Sequence, residues 1–141
     1  MTKFNFSKKE KAEFLEAAIL AGQWYMNNQS TDKKPWGDVF DSADLGRFVY
    51  EYYPTTKYSR GMACWGQAVG IFGLLSLYKR LGRKQYLEAA RLAGDYLKTL
   101  QVMDQRDPRT YGAIREHRPQ DKWGFPRDMA TAAMGFIALY R

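Results

Sequence analysis

Two stretches of this chain follow one pattern: Ala18-Ile-Leu-Ala-Gly-Gln-Trp-Tyr-Met-Asn-Asn-Gln29 and Ala90-Arg-Leu-Ala-Gly-Asp-Tyr-Leu-Lys-Thr-Leu-Gln101. An alanine, a leucine, a second alanine, a glycine and the closing glutamine coincide. A second pair follows in the same order, since Ala68–Tyr78 and Ala130–Tyr140 share an alanine, a glycine and a final Leu-Tyr. Repeated helical hairpins bury their apolar faces against neighbouring copies, so this repetition predicts a stacked helical architecture.

Hydrophobic spacing predicts helices from Ser7, over about 60–80, over about 84–101, and from near Asp128 to Arg141. Ser7 and Glu10 have the spacing of a capping box. The first and third helices are amphipathic, whereas the second and fourth are apolar almost all round, as buried helices are. We therefore expect an all-α fold with hairpins over about 7–80 and 84–141 in one partial domain, 1–141. The outer helices would have one solvent-exposed face, and the inner helices would have none.

Long connections over 30–59 and 102–126 both lead into the amino ends of the inner helices. They should gather at one end of the fold, where a functional site is expected. Within the first connection, Phe48-Val-Tyr-Glu-Tyr-Tyr53 has weak strand character. Two hairpins are too few to cover the apolar inner helices of a stacked-repeat fold. We therefore expect either self-association or the remainder of a longer chain to cover the open sides.

The composition of the chain limits the class of protein, its location and the kind of ligand it binds. With 141 residues, 45% hydrophobic and 26% charged, the chain is typical of a globular domain. It contains neither a membrane-length apolar run nor a signal-like amino end, which favours the cytoplasm. The single cysteine, Cys64, is expected to be a buried thiol, and the single histidine, His117, excludes a site with two imidazoles. No metal or cofactor motif is present. The net charge of +7 suits an acidic saccharide, and aromatic residues at helical spacing argue against nucleic acid.

Several short motifs carry a family resemblance: Gln29 followed by Pro35-Trp36-Gly37, Trp65-x-x-Ala68, Leu77-Tyr-Lys-Arg-Leu-Gly82, Tyr86-Leu87-x-x-Ala90, Tyr111-Gly-Ala-Ile114 and Arg127-Asp128. Together they resemble the six-hairpin (α/α) toroid glycosidases, a superfamily of unsaturated glucuronyl hydrolases, other glycoside hydrolases, sugar epimerases and polysaccharide lyases. The resemblance covers nearly all of this chain but about a third of such a ring, so it implies an incomplete toroid. The turns after Gln29 and Gln101 are similar also to those of terpenoid cyclases and prenyltransferases.

Candidate catalytic residues are the carboxylates at spacing three, Asp38, Asp41 and Asp44, together with His117. In toroid glycosidases a loop aspartate protonates the glycosidic oxygen or activates water, which the resemblance implies for one of these three. The alternative is that Asp41 or Asp44 caps a short turn. His117 follows Arg115-Glu116, and its ring changes charge near neutral pH, which suits acid/base chemistry.

Candidate substrate-binding residues are aromatic or basic side chains on or beside the two connections, with one amide and one carboxylate. Aromatic rings stack on sugar faces, and arginines bind carboxylates with paired hydrogen bonds. The candidates are Trp36, Tyr58, Arg60, Gln67, Arg115, Glu116, Trp123 and Arg127. The alternatives are packing for the aromatic residues, solvated loop charge for the arginines, and a helix cap for Asp128, which follows Arg127.

The sequence therefore predicts a carbohydrate-active enzyme, either a glycoside hydrolase or a polysaccharide lyase, that acts on acidic sugars by general acid/base catalysis. We expect this enzyme to use no cofactor and to bind neither nucleic acid nor a membrane. A non-catalytic helical repeat module for protein interaction is the first alternative, and a toroid like those of terpenoid cyclases and prenyltransferases is the second.

Overall fold

The structure is a computed structural model that describes residues 5–32, 44–56 and 58–141, without the side chains of 50–52 and 58–60. Within these ranges lie four α-helices and one antiparallel β-hairpin. In chain order they are α1 (Lys8–Asn27), β1 (Val49–Tyr53), β2 (Tyr58–Gly61), α2 (Cys64–Leu81), α3 (Lys84–Thr99) and α4 (Pro126–Tyr140). The helices build the core, so the all-α prediction is confirmed.

The β-hairpin lies in the first connection. β1 coincides with the stretch for which the sequence predicted strand character. β2 pairs with it from Tyr58 to Gly61, so the prediction that a helix begins near residue 60 was wrong. Hydrogen bonding to β1 holds these residues extended, and α2 begins only at Cys64.

The helix ends follow local chemistry in two cases and depart from it in a third. At α1 the predicted capping box is present, with Glu10 N donating to Ser7 Oγ (3.2 Å) and Ser7 N donating to Glu10 Oε2 (2.7 Å). α2 ends at Gly82, whose φ of +70° is the usual glycine stop. α4 begins at Pro126 with Phe125 as its N-cap, so Asp128 lies inside the first turn and is not the cap.

α2 is the central helix and packs against α3, α4 and α1. Ala68 and Ile71 of α2 are fully buried, as are Ala90 and Leu97 of α3. As predicted, α3 is amphipathic, with its charged residues exposed. α2 nevertheless exposes Val69, so it does not lack an exposed face as the sequence suggested.

α1 and α4 are covered less completely than α2. In the described part of the chain, Gly22 is the one buried residue of α1. The sequence predicted that α4 is enclosed, but it is packed along one side, and Met134 and Ile137 on its other side are exposed. That exposed side is apolar, unlike the water-facing side of an ordinary surface helix.

The two helices of each hairpin, α1 with α2 and α3 with α4, pack through the same leucine–glycine contact. In α1 and α2, the side chain of Leu77 occupies the space where a Cβ on Gly22 would lie. In α3 and α4, the side chain of Leu139 occupies that space at Gly94. The two glycines coincide in the first repeated stretch and the two leucines in the second, so equivalent residues make equivalent contacts.

The connections repeat a second contact. Gln29 Nε2 donates to the carbonyl of Gly46 (3.0 Å), and Gln101 Nε2 donates to that of Gly112 (3.3 Å). Both glycines have positive φ, +88° and +84°, as the third residue of a tight turn requires. The adjacent backbone hydrogen bonds match as well, from Ser30 N to Arg47 O (2.9 Å) and from Val102 N to Ala113 O (2.8 Å).

Candidate active site

The two long connections meet at the amino ends of α2 and α4, as the sequence predicted. Arg118 of the second connection forms an ion pair with Asp44 of the first, with Nη2 and Oδ2 3.7 Å apart. The backbone N–H of Cys64, at the start of α2, donates to the carbonyl of Glu116 (2.7 Å). Residues from both connections and both helices therefore share one end of the fold.

A pair of buried carboxyl groups lies at this end. Glu116 of the second connection and Asp128 of the first turn of α4 are both buried, and their side chains are hydrogen-bonded to each other. Arg127 binds the far side of Asp128, from Nε to Oδ1 (2.7 Å) and from Nη2 to Oδ2 (3.3 Å). The Arg127 side chain is 83% exposed, so the carboxyl pair lies just beneath the surface.

The surroundings shift the pKa values of the two carboxyl groups in opposite directions. Burial, followed by the negative charge of Asp128, raises the pKa of Glu116 above its ordinary value. The hydrogen bonds from Arg127 lower the pKa of Asp128. Of the two, Glu116 is therefore the group that loses its proton at the higher pH. Neighbouring carboxyl groups whose pKa values are pushed apart form an arrangement that general acid catalysis uses.

Cys64 borders the carboxyl pair, with its Sγ 4.0 Å from Glu116 Oε2. Burial, together with the negative charges of Glu116 and Asp128, raises the pKa of the Cys64 thiol to about 12. A raised pKa favours the neutral thiol, which is a weaker nucleophile than the thiolate. The prediction of a buried thiol is confirmed.

A groove of about 710 Å³ runs along the second connection, and neither carboxyl group of the pair is among its lining residues. Arg115 and Trp123 line it, as do Pro126 and Met129, which lie on either side of Asp128 along α4. Trp123 is 51% exposed, and its ring is in edge contact with that of Phe125. The structure thus brings two of the predicted binding residues to one groove.

His117 contacts Trp123 of this groove on one side and Tyr96 of the core on the other. Its ring packs edge-on against that of Trp123, with centroids 5.6 Å apart. Its backbone N–H donates to the carboxylate of Asp121 (2.8 Å), and its carbonyl accepts from the Tyr96 hydroxyl. These contacts fix the backbone around His117, whereas its predicted part in acid/base chemistry stays a prediction.

Asp44 is buried between two arginines. Its Oδ2 lies 3.4 Å from Arg47 Nη1, in addition to the ion pair with Arg118. Arg47 donates from Nε to the carbonyl of Met62 (3.1 Å) and lies over the ring of Tyr96. A carboxylate held in this way fastens the first connection to the second, so the geometry favours a structural role for Asp44 over the predicted catalytic one.

Gln67 is likewise held by the backbone. It is fully buried, and its amide nitrogen donates to the carbonyls of Gly46 (2.7 Å) and Ala93 (3.4 Å). Its amide oxygen accepts from the N–H of Phe48 (3.0 Å). Because both donors are occupied, the geometry favours a structural role for Gln67 over substrate binding.

Arg106 and Arg109 of the second connection, which were not candidates, are exposed and pair with Asp104 and Asp107. The remaining candidates lie in the first connection. Tyr58 and Arg60 lie in β2, but their side chains fall outside the described part of the chain. Trp36, Asp38 and Asp41 lie wholly outside it, and their predicted roles stay predictions.

Sequence reasoning underrated Asp128, which it treated as a helix cap. The available signal was an acidic residue inside the first turn of an otherwise apolar helix, directly after Arg127. What the sequence did not reveal was its partner, because Glu116 lies in an irregular connection.

In the described ranges, no group of three or more histidine, cysteine or acidic residues is arranged to hold a metal ion. No helix there has both the length and the apolar composition that crossing a bilayer requires. Comparison with known proteins finds no family model, no curated protein and no solved structure that matches this chain.

Proposed function

We propose that this chain belongs to a carbohydrate-active enzyme, a glycoside hydrolase or polysaccharide lyase acting on acidic sugars, in which Glu116 is the proton donor. The supporting observation is the carboxyl pair at the amino ends of α2 and α4, in which the pKa of Glu116 is raised. A carboxyl group with a raised pKa keeps its proton to higher pH and can transfer it to a leaving oxygen as the C–O bond breaks. This proposal takes Glu116 as the acid, where the sequence predicted one of Asp38, Asp41 and Asp44.

Arg127 supports the choice of an acidic sugar. Its exposed guanidinium binds Asp128 through two nitrogen atoms, the same geometry in which an arginine binds a substrate carboxylate. A uronate that took this guanidinium from Asp128 would uncover the carboxyl pair beneath it. Trp123 and Arg115 in the adjoining groove would supply a stacking surface and a second positive charge.

The repeated contacts support the toroid architecture that we propose alongside this function. Leucine–glycine packing and glutamine-to-turn hydrogen bonds recur in both hairpins, as a ring of equivalent hairpins requires. α2 and α4 would then be neighbouring inner helices, and their amino ends would line the same face of the ring. One architecture hosts many chemistries, so the carboxyl pair carries the functional argument and the fold does not.

The test is turnover of uronate-containing oligosaccharides by the purified chain. New reducing ends would report hydrolysis, and the ultraviolet absorbance of a new C=C bond would report elimination. Glu116→Gln keeps the size and the donor to Asp128 but removes the transferable proton. We expect it to lower kcat by about 10²–10⁴-fold with KM little changed. Glu88→Gln, at an exposed glutamate of α3, is the matched control.

Arg127→Met tests the substrate class. It should raise KM for uronate-containing oligosaccharides but not for neutral ones, because it removes the guanidinium that would bind the carboxylate. Arg106→Met, at another exposed arginine paired with an aspartate, should change neither. Turnover by Glu116→Gln at the rate of the unchanged protein would refute the proposed acid.

A non-catalytic helical repeat module is the second candidate. The observation that favours it is the apolar outer side of α4, where Met134 and Ile137 are exposed. Absence of turnover on every uronate substrate, together with stable binding of another protein through that side, would favour this module over the enzyme.

A further inference from the structure

The contact between the two hairpins of one chain shows how one hairpin packs against the next. Gly135 of α4 lies against Ala68 of α2 so closely that a Cβ on Gly135 would stand 2.9 Å from the Ala68 Cβ. Around this contact Ala90 and Ala93 of α3 and Ala132 of α4 are fully buried. The second hairpin thus buries a small-residue face against the first.

The equivalent face of the first hairpin is open. Gly73, which matches Gly135, has no described atom outside its own helix within 4 Å of where a Cβ would stand. Ala18 and Ala21, which match Ala90 and Ala93, line with it a groove of about 440 Å³ between α1 and α2. Phe14, which matches the fully buried Tyr86, is 60% exposed.

The face that would fit this groove lies on α4, near the other end of the chain, and it is also open. Ala130 matches Ala68, and it is exposed where Ala68 is buried. Ile137 matches Leu75, and its exposed fraction is 51% where that of Leu75 is 8%. α4 therefore presents outward the same kind of surface with which α2 receives the second hairpin.

We propose that the groove between α1 and α2 binds a second copy of this chain through the outer side of that copy's α4. Ala130 of one copy would lie on Gly73 of the next, as Ala68 lies on Gly135 within one chain. The choice of occupant rests on continuity, because the new contact extends the internal interface in the same direction with equivalent residues. Since the two faces differ, the assembly is head-to-tail.

The composition of the groove agrees with this occupant. Apart from Ser76 and Arg80, its described lining is apolar or glycine. A helix with an apolar outer side fills such a groove, whereas a charged peptide would leave its charges without partners. The glycines of α2 allow the close helix approach that the internal contact already shows.

The test is a concentration series of the purified chain by analytical ultracentrifugation. The unchanged protein should self-associate. Gly73→Leu fills the groove, and because its site is open it should leave the single chain folded and helical. We expect it to weaken association about tenfold or more, since it places a side chain where the internal contact leaves no room.

Met134→Arg places a charge on the complementary face and should weaken association similarly. Met103→Arg is its matched control, because Met103 is an exposed methionine on the second connection, outside both faces. Circular dichroism melting of each variant checks that the single chain is folded.

Mixing the two variants separates head-to-tail association from a symmetric contact. Gly73→Leu keeps its α4 face and Met134→Arg keeps its groove, so the mixture should form a one-to-one complex that neither forms alone. Any of three results would overturn the proposal: the unchanged protein is monomeric at every concentration, the Gly73→Leu variant associates normally, or the mixture remains monomeric.

Discussion

Arg47 is the buried centre of the contacts that join the two connections, and its replacement by methionine tests whether those contacts stabilise the fold. The side chains of Arg47 and Asp44 are 3% and 1% exposed, with nitrogen and oxygen 3.4 Å apart. The substitution also removes the hydrogen bond to the Met62 carbonyl (3.1 Å) and the contact with the Tyr96 ring. Methionine fills similar volume, so the loss is mainly electrostatic.

Removing one partner of a buried ion pair costs about 3–5 kcal/mol, because the other charge is left without compensation. Asp44 keeps Arg118 at 3.7 Å, so the lower end of this range applies. We therefore expect Arg47→Met to lower the free energy of unfolding by about 3 kcal/mol. For a chain of this length that corresponds to a fall in Tm of about 12 °C.

The assay is urea and thermal unfolding followed by circular dichroism. Arg109→Met is the matched control, since Arg109 lies 3.2 Å from Asp107 but is 89% exposed. An exposed pair contributes little, so its Tm should stay within error of the unchanged protein. If both variants lost similar stability, or if neither did, burial would not be what gives the Arg47–Asp44 pair its importance.

Two further predictions concern the carboxyl pair and the turn glycines. Because burial raises the pKa of Glu116 above 4.5, the folded state keeps a proton that the unfolded chain releases, so this residue costs stability as pH rises above that value. Glu116→Gln should therefore gain stability relative to the unchanged protein from pH 4.5 toward neutral in urea titrations, and the opposite trend would contradict the raised pKa. Gly46→Ala should destabilise by about 2 kcal/mol or more, because it combines positive φ with a clash against the Leu92 carbonyl. Gly82→Ala, at positive φ in open space, should cost about 1 kcal/mol, and equal losses in the two variants would show that the carbonyl clash is unimportant.

The groove and the carboxyl pair could be predicted only in part. Arg115, Glu116, Trp123 and Arg127 were candidates because basic, acidic and aromatic residues crowd the second connection. The structure brings Arg115 and Trp123 to one groove and places Glu116 against Asp128. Gln67 was chosen for its place on α2, but which side of a helix a side chain occupies depends on neighbours that are distant in the sequence.

The sequence by itself determined the helices, the capping box at Ser7, the amphipathic character of α3 and the recurrence of the glycines and glutamines. These features depend on residues a few positions apart, where backbone preference and apolar spacing act locally. Only the tertiary structure decided that the pKa of Glu116 is raised beside Asp128, that Asp44 is held between arginines, and that one face of each hairpin is open. Burial and charge pairing join residues from separate connections, and they arise only when the helices have packed.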